Sequence, residues 1–434
     1  MDEVSMDREP LRLLDIQLEG GRVPNRLRWL IVALLTRLLM LPYFMHTDNR
    51  FVGDIVALSY RGYMYVADPN SLERYASLVY PFLGYHTIFV YLSTFQRFIP
   101  SFPIAPPYAA SALLQWIESP TIFRLLFVAK GLSALFDLGT GLLLLWFFRG
   151  ESRTRALLFW VFNPLILYNV YFHGQIDVIP VFFLMLALLC LKRFRPCLGS
   201  FWIGIGACYK IFPLFFLLPA ILVFTKSAAQ RMRLLFIGVI PFLLLMLPNA
   251  RKYATGISTS SELFFKGEYA LGFGARIYVF FVFYAALLWY LHCRKAHTFE
   301  DFWRACLAIL LVYYQFSYFD LHYWAWIVPF ALIYWVERPQ EAKPFYLVIG
   351  LCLLVLLAPT PLGRFLAPIS PRFFLRLPSL METLNPYLPM LFIVNVVRSL
   401  MAGTCFYLAW RLLRGMPASR NQMPQSIPEP KAAV

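Results

Sequence analysis

The sequence predicts an all-α membrane protein, a polytopic transmembrane bundle of about ten to fourteen helices. Of its 434 residues, 60% are hydrophobic and 14% are charged, and the mean hydropathy is +0.63. A soluble domain of this length could not bury so much apolar surface in one core. The apolar residues also fall in runs long enough to cross a bilayer, and the short loops between the runs are basic.

The first apolar run, residues 29–45, follows a basic N-terminal segment. Because Lys and Arg are enriched in cytoplasmic loops, we expect residues 1–28 to form a cytoplasmic tail. Residues 29–414 then form one transmembrane domain, and the polar residues 415–434 form a disordered cytoplasmic tail. Later basic clusters are assigned to the same side: Arg149 to Arg155, Lys192 to Arg195, Lys226 to Arg233, Arg294 with Lys295, and Arg411 with Arg414.

These anchors leave five segments on the opposite, extracytoplasmic side, and a site on that side would be assembled from them. They are residues 46–78, 172–177, 249–272, 317–323 and 359–387.

Two stretches leave the number of spans open. In residues 79–121 a Pro-rich run either crosses the bilayer or forms a re-entrant hairpin, which is tolerated where it is buried in protein. In residues 198–225 two short apolar runs flank Lys210 and Pro213.

The charge distribution argues against a nucleic-acid partner, and the cysteine spacing argues against a disulfide framework and a zinc site. The net charge is +16, but the basic residues lie mostly in short loops, where they orient helices in the bilayer. A nucleic-acid partner is therefore not predicted. The seven cysteines lie in or near apolar runs without a C-x-x-C spacing, which indicates neither a disulfide framework nor a zinc site.

The first outward segment places three aspartates at one mouth of the bundle. Asp54 and Asp48 are candidates for a general base, a group that supplies about 100 to 10,000-fold when it lies within hydrogen-bond distance of the reacting hydroxyl. Solvated acids, or acids paired with Arg50 and Arg61, are equally consistent with this spacing. Asp68, in the sequence ADPN, is predicted to be a turn residue.

The second polar group, His173, Gln175 and Asp177, lies at a hinge between two apolar runs. Polar residues at such a position tend to line an aqueous cavity, so we expect them to order the site. The alternative is that Asp177 caps the helix that follows it.

Three further charged residues lie inside or beside apolar runs. Lys130 and Asp137 are seven residues apart, on one helical face. An acid inside a span requires a partner, so we predict a structural pairing for Asp137. Lys210 either has a functional role or extends to the cytoplasmic interface.

The late segment FDLHYWAWIVPF contains His322 and Tyr323, and His322 could bind a phosphate oxygen. Trp324 and Trp326 are predicted to belong to an interfacial aromatic belt. Three outward arginines depart from the positive-inside preference and suit phosphate, although anionic headgroups would satisfy them equally. These are Arg364, Arg372 and Arg376.

Six motifs occur in the order found in one enzyme family: GDIVALSYRGYMYV, LVYPFLGY, FDLGTGLLLLW, NPLILYNVYFHGQIDVIP, ACYKIFPLFFLLP and FDLHYWAWIVPF. Over about residues 46–330 the chain resembles the GT-C superfamily of membrane glycosyltransferases. The resemblance is to the polyprenyl-phosphate-mannose-dependent branch, which includes GPI mannosyltransferases and bacterial relatives. The chain departs from the pattern in lacking a D-x-D in its first loop, which argues against a metal, and in having Tyr80-Pro81-Phe82 where relatives often have a second proline.

The resemblance implies an inverting hexosyltransferase that moves mannose from a polyprenyl- or dolichyl-phosphate donor to a glycolipid or glycan acceptor. Its site would face outward from a bacterial plasma membrane, or into the lumen of the endoplasmic reticulum in a eukaryote. Asp54 would be the base, with Asp48 as the alternative. No cofactor, nucleotide or metal is expected, because the leaving group is already a phosphate. The predicted substrate-binding residues are His173, Gln175, Asp177, Lys210, His322, Tyr323, Arg364, Arg372 and Arg376.

Two other functions remain open. A polysaccharide polymerase or ligase would also be an apolar bundle with external Arg and His, but with its main polar surface in a large late loop. A lipid-linked saccharide transporter or flippase would have inverted repeats and helices broken near mid-membrane. The sequence contains no clear repeat.

Overall fold

The protein is described by a computed structural model that covers residues 25–45, 82–95, 98, 117–247, 268–272, 275–294, 298–316 and 321–415. The predicted base candidates Asp48 and Asp54 lie outside the described residues. So do most of the predicted N-terminal tail and nearly all of the C-terminal tail.

The described residues form helices, apart from one antiparallel hairpin of strands β1 (Glu268–Gly272) and β2 (Ala275–Tyr278). The helices of the first half are α1 (Asn25–Tyr43), α2 (Phe82–Thr94), α3 (Ile122–Phe147), α4 (Gly150–Val161), α5 (Pro164–Leu167), a π-helix (Tyr168–His173), α6 (Val178–Lys192), α7 (Pro196–Ala207), a 3-10 helix (Phe212–Phe216), α8 (Leu217–Phe224) and α9 (Ala228–Met246).

The second half continues the helical pattern from the hairpin to the last span. Its helices are α10 (Val279–Arg294), α11 (Phe299–Phe316), a 3-10 helix (Leu321–Trp326), α12 (Val328–Glu337), α13 (Lys343–Leu357), a 3-10 helix (Leu362–Leu366), α14 (Pro371–Phe374), α15 (Leu380–Leu384) and α16 (Met390–Arg414).

The described part of the chain contains three helices long and apolar enough to cross a membrane: α3, α9 and α16. A fourth span results if Gly150–Val161 and Pro164–His173, which meet at a 41° bend, are one broken span. Several shorter apolar helices accompany them. The predicted all-α polytopic membrane class is confirmed, whereas the predicted count of about ten to fourteen spans stays a prediction.

In the first half, helix α3 packs against α1 and α6, and helix α7 packs against α6 and α9. The α7–α9 contact depends on glycine. A Cβ at Gly204 would lie 2.2 Å from the carbonyl oxygen of Gly238, so the two backbones can approach this closely only without a side chain there.

Helix α11 is the centre of the second half. Every residue from Asp301 to Tyr314 is buried, as expected for a helix surrounded on all sides by protein. Helix α16 packs against α11 and α13. Many apolar side chains on the outer face of α16, such as Leu391 and Phe392, are exposed.

The two ends of α11 identify two ends of the bundle. Near its start, Glu300 pairs with Arg304 at 2.6 Å and with Arg338 at 3.0 Å, and Lys192 lies 3.9 Å from Glu337. We call this the basic end. Near the other end of α11, the hydroxyl of Tyr314 donates to the carbonyl of Tyr323 at 2.6 Å.

The stretch 198–225 is interrupted where the sequence suggested. Helix α7 ends at Ala207, Lys210 lies in the turn that follows, and Pro213 occupies the first turn of the 3-10 helix. The stretch 79–121 contributes α2 and the start of the segment before α3. The number of spans there stays a prediction.

Candidate functional site

A buried polar cluster lies at the end of the bundle opposite the basic end. Three parts of the chain supply it: the π-helix with the hinge that follows it, the turn after α7 and the 3-10 helix before α12. Its members, the polar cluster from here on, are Asn169, His173, Gln175, Asp177, Lys210, His322, Tyr323 and Trp326.

The central contact of the cluster is an ion pair. The Nζ atom of Lys210 lies 2.6 Å from Oδ1 of Asp177, and Nε1 of Trp326 donates to the same oxygen at 2.6 Å. The side chain of Asp177 is fully buried, and its Oδ2 has no hydrogen-bond partner among the described residues. A buried acceptor without a partner costs about 1–3 kcal/mol, so a hydroxyl or N–H group that reached Oδ2 would be stabilised there.

Two histidines adjoin this ion pair. The rings of His173 and His322 meet edge to face with centroids 4.7 Å apart, and both residues are buried. Nδ2 of Asn169 donates to the carbonyl of His322 at 3.0 Å, which joins the π-helix to the late segment. Gln175 Nε2 and His173 Nε2 are 3.5 Å apart.

Aromatic rings form the wall beside Lys210. Its Nζ lies 5.0 Å from the ring centroid of Tyr323 and 5.6 Å from that of Trp326. Trp326 stacks on Phe212 with centroids 4.1 Å apart and planes 3° apart. These rings exclude water and hold the ammonium group by cation–π attraction.

The hinge that carries His173, Gln175 and Asp177 has a local cause. The chain turns out of the π-helix at Gly174, which has φ +72°, a left-handed conformation that glycine adopts without steric cost. A π-helix is rare and is found frequently at functional sites.

Helix α3 holds this hinge in place. Nζ of the buried Lys130 donates to the carbonyls of Leu41 at 3.1 Å and Tyr171 at 2.8 Å, and also to the carbonyl of Phe44. The hydroxyl of Ser133 donates to the carbonyl of Gln175 at 3.0 Å. A cation near carbonyls at the ends of α1 and the π-helix is favoured by their dipoles.

Asp137 forms a second buried centre on α3, one helical turn after Ser133. Its Oδ2 accepts from Arg37 Nε at 2.6 Å and from the hydroxyl of Tyr171 at 2.8 Å, and its Oδ1 accepts from Trp160 Nε1 at 2.8 Å. We call these four residues the Asp137 centre. It ties α1, α3, α4 and the π-helix together.

The three arginines predicted to face outward lie on a neighbouring loop. Arg364, Arg372 and Arg376 are exposed. Their loop is fixed by Phe365, whose ring meets that of Tyr168 at 5.8 Å and whose carbonyl accepts from the backbone N–H of Met45 at 2.9 Å.

The same loop contains an exposed carboxylate at Glu382. Hydrogen bonds from the backbone N–H and side chain of Ser379 lower the pKa of Glu382, and the charge of Arg364 lowers it as well.

Six of the predicted substrate-binding residues are therefore brought together: His173, Gln175, Asp177, Lys210, His322 and Tyr323. The structure places the three arginines on an adjacent loop of the same end. Among the described residues, no group of three or more His, Cys, Asp or Glu side chains could hold a metal ion.

Two of the alternative interpretations and one prediction are wrong. Asp177 precedes α6, but its side chain makes no capping hydrogen bond, because Lys210 and Trp326 bind it instead. Lys210 is buried in this pair and does not extend to an interface. Trp324 and Trp326 are buried core residues and not part of an aromatic belt.

The predicted partner of Asp137 exists, but it is Arg37 and not Lys130, which binds backbone carbonyls. Sequence reasoning missed Arg37, Asn169 and Trp326 as polar contacts. Arg37 could have been noticed, since an arginine within IVALLTRLLML requires a buried acceptor. Asn169 lies in an aromatic run, YNVYFH, without a comparable signal.

Comparison with known proteins shows a distant similarity over part of the chain. No family model and no solved structure matches the chain. It is similar to GPI mannosyltransferase 1 of Kluyveromyces lactis, with 29% identity over 158 residues. The match covers 34% of this chain and 36% of the relative, so the chain spans about a third of the length of the curated relative it matches. This similarity supports a relationship to membrane glycosyltransferases in general.

Proposed function

We propose that the protein is an integral-membrane inverting glycosyltransferase. It moves a hexose, mannose in our proposal, from a polyprenyl- or dolichyl-phosphate donor to a glycolipid or glycan acceptor on the extracytoplasmic side. The similarity to a mannosyltransferase supports the reaction class. The polar cluster supports a ligand that carries both hydroxyl groups and a phosphate.

One observation carries the proposal: a buried carboxylate with one oxygen bound and the other without a partner. Oδ2 of Asp177 can accept a hydrogen bond from a sugar hydroxyl. Lys210 and His322 lie beside it and can donate to phosphate oxygens. An acceptor and cationic donors side by side in a desolvated site match a sugar phosphate.

In the proposed reaction the acceptor hydroxyl attacks the anomeric carbon, and Asp54 takes its proton, with Asp48 as the alternative base. A new C–O bond forms as the bond from the anomeric carbon to the phosphate oxygen breaks, so the configuration inverts. The polyprenyl phosphate leaves with one more negative charge. Lys210, His322 and the arginines Arg364, Arg372 and Arg376 stabilise that added charge.

The position of Met45 supports the role of the first outward segment. Its backbone N–H bonds to Phe365, beside the π-helix that leads to His173. The segment that contains Asp48 and Asp54 begins directly after Met45 in the chain.

The test is transfer of radiolabelled mannose from polyprenyl-phosphate-mannose to a lipid extract by the purified protein in detergent. We expect Asp54→Asn to lower the rate about 100 to 10,000-fold, the usual contribution of a general base. Asp68→Asn in the same segment is the matched control and should retain activity.

Unchanged transfer by Asp54→Asn would exclude Asp54 as the base and move the role to Asp48. If the wild type binds no polyprenyl-phosphate sugar at all, the glycosyltransferase proposal is wrong and a transporter becomes the better interpretation.

A further inference from the structure

An apolar groove lies between α10, α11 and α16, away from the polar cluster. Its volume is about 670 Å³, which falls in the range of about 300–1,000 Å³ typical of ligand sites. Its walls include Phe283, Val312 and Phe406, and the rings of Phe283 and Phe406 are 5.8 Å apart. The groove continues the exposed apolar surface of α10, where Val282 and Trp289 face outward.

Two arginines line one end of this groove, where α10 and α16 terminate. Nη1 of Arg294 donates to the hydroxyl of Tyr290 and, at 3.5 Å, to the carbonyl of Leu413. These contacts fix the guanidinium. Its Nε is buried and has no hydrogen-bond partner among the described residues. The guanidinium of Arg414 lies 5.2 Å from the ring centroid of Trp410.

We propose that the groove binds one chain of an acidic membrane phospholipid, whose phosphate is held by Arg294 and Arg414. A guanidinium presents paired N–H groups that match two phosphate oxygens. In Arg294 the Nη1 group is already bound to protein and Nε has no partner among the described residues, so an anion can bind the remaining N–H groups without further ordering of the side chain. The apolar walls then bury the acyl chain.

This lipid is distinct from the proposed sugar donor. The groove arginines lie at the basic end, because Gly415, directly after Arg414, adjoins Arg304. The polar cluster lies at the far end of α11, where Tyr314 bonds to Tyr323. An 18-residue helix such as α11 is about 27 Å long at 1.5 Å per residue. A phosphate at Arg294 is therefore too distant to react in the polar cluster.

The charge requirement is tested by native mass spectrometry of the purified full-length protein, titrated with phosphatidylserine or phosphatidylcholine. We expect Arg294→Gln/Arg414→Gln to weaken phosphatidylserine binding about tenfold or more and to leave phosphatidylcholine binding unchanged. The matched control is Arg193→Gln/Arg195→Gln, which removes two exposed charges from the same end outside the groove. Equal weakening by both double variants would overturn the proposal, because it would indicate only a general charge effect.

The acyl-chain part has its own pair of variants. Ala286 lines the groove, whereas Ala285 is also exposed but lies outside the groove lining. Ala286→Trp should therefore lower phosphatidylserine binding, and Ala285→Trp should not. Equal binding by the two variants, or a copurified polypeptide in place of the lipid, would overturn the assignment. The readout is lipid binding, so it is independent of whether the protein transfers mannose.

Discussion

The Asp137 centre and the polar cluster each contain one buried aspartate, but the two carboxylates are bound differently. Both oxygens of Asp137 accept hydrogen bonds from side chains, one from Trp160 and the other from Arg37 and Tyr171. Both donors at Asp177 use the same oxygen, and the other has no partner among the described residues. A saturated carboxylate stabilises a fold, whereas a half-saturated one retains capacity to bind a ligand.

The surroundings of the two acids agree with this distinction. The Asp137 centre connects four helices and is enclosed by them. The polar cluster lies at the end of the bundle, beside the loop of exposed arginines. The cation of its ion pair is also more exposed than the cation of the Asp137 centre: the side chain of Lys210 is 10% exposed, and that of Arg37 is 3% exposed.

The largest expected effect is on stability at the Asp137 centre. Asp137→Asn leaves the charge of Arg37 buried without a counter-charge, which typically costs about 3–5 kcal/mol. We expect a large drop in the thermal unfolding midpoint of the detergent-solubilised protein. A midpoint close to that of the wild type would show that Arg37 finds another anion and that this centre is not a structural one.

A smaller effect, and one on activity, is expected at Asp177. Asp177→Asn removes the proposed acceptor for a sugar hydroxyl, a charged hydrogen bond of about 1.5–3 kcal/mol, so the proposed mannose transfer should fall roughly 10 to 150-fold. The unfolding midpoint should fall less than in Asp137→Asn. Asp301→Asn is the control, since Asp301 is also a buried acid but lies at the basic end. Full activity in Asp177→Asn would remove the distinction between the two centres.

The smallest effect is expected at Ser133, which lies on α3 one turn before Asp137 and contacts the hinge of the polar cluster. Its hydroxyl donates to the carbonyl of Gln175, so Ser133→Ala should cost about 1 kcal/mol. The proposed mannose transfer should also fall, and by a larger factor than the small loss of folded protein would cause. The reason is that the hinge loses its hydrogen bond from Ser133. Ser200→Ala is the control: Ser200 is also buried, but its hydroxyl has no hydrogen-bond partner among the described residues. Equal effects of the two substitutions would show that Ser133 does not position the hinge.

The long apolar helices, which are continuous in the sequence, could be predicted well. Helices Ile122–Phe147 and Met390–Arg414 are continuous apolar segments within the predicted transmembrane domain of residues 29–414. Such runs are local, and the bilayer forces their backbone into helices. Six of the eight residues of the polar cluster were also predicted as site residues, because polar groups beside apolar runs require an explanation.

The pairings could not be predicted, because the partners are distant in the chain. Asp137 is 100 residues from Arg37, and Asp177 is 149 residues from Trp326. Lys130 lies on the same helix as Asp137 and was the nearer candidate, yet its ammonium group binds carbonyls at helix ends. Periodicity places side chains on a face of one helix; it does not determine which helix lies opposite.

The sequence separation of the residues around Asp177 also determines the order in which they are synthesised. Lys210 follows Asp177 by 33 residues and Trp326 by 149 residues. At about 5–20 residues per second, the ribosome makes the lysine roughly 2–7 s after the aspartate and the tryptophan roughly 7–30 s after it. The acid can thus be neutralised early, while the nascent chain is still being inserted. The indole that completes its surroundings is added only after α11 has been synthesised.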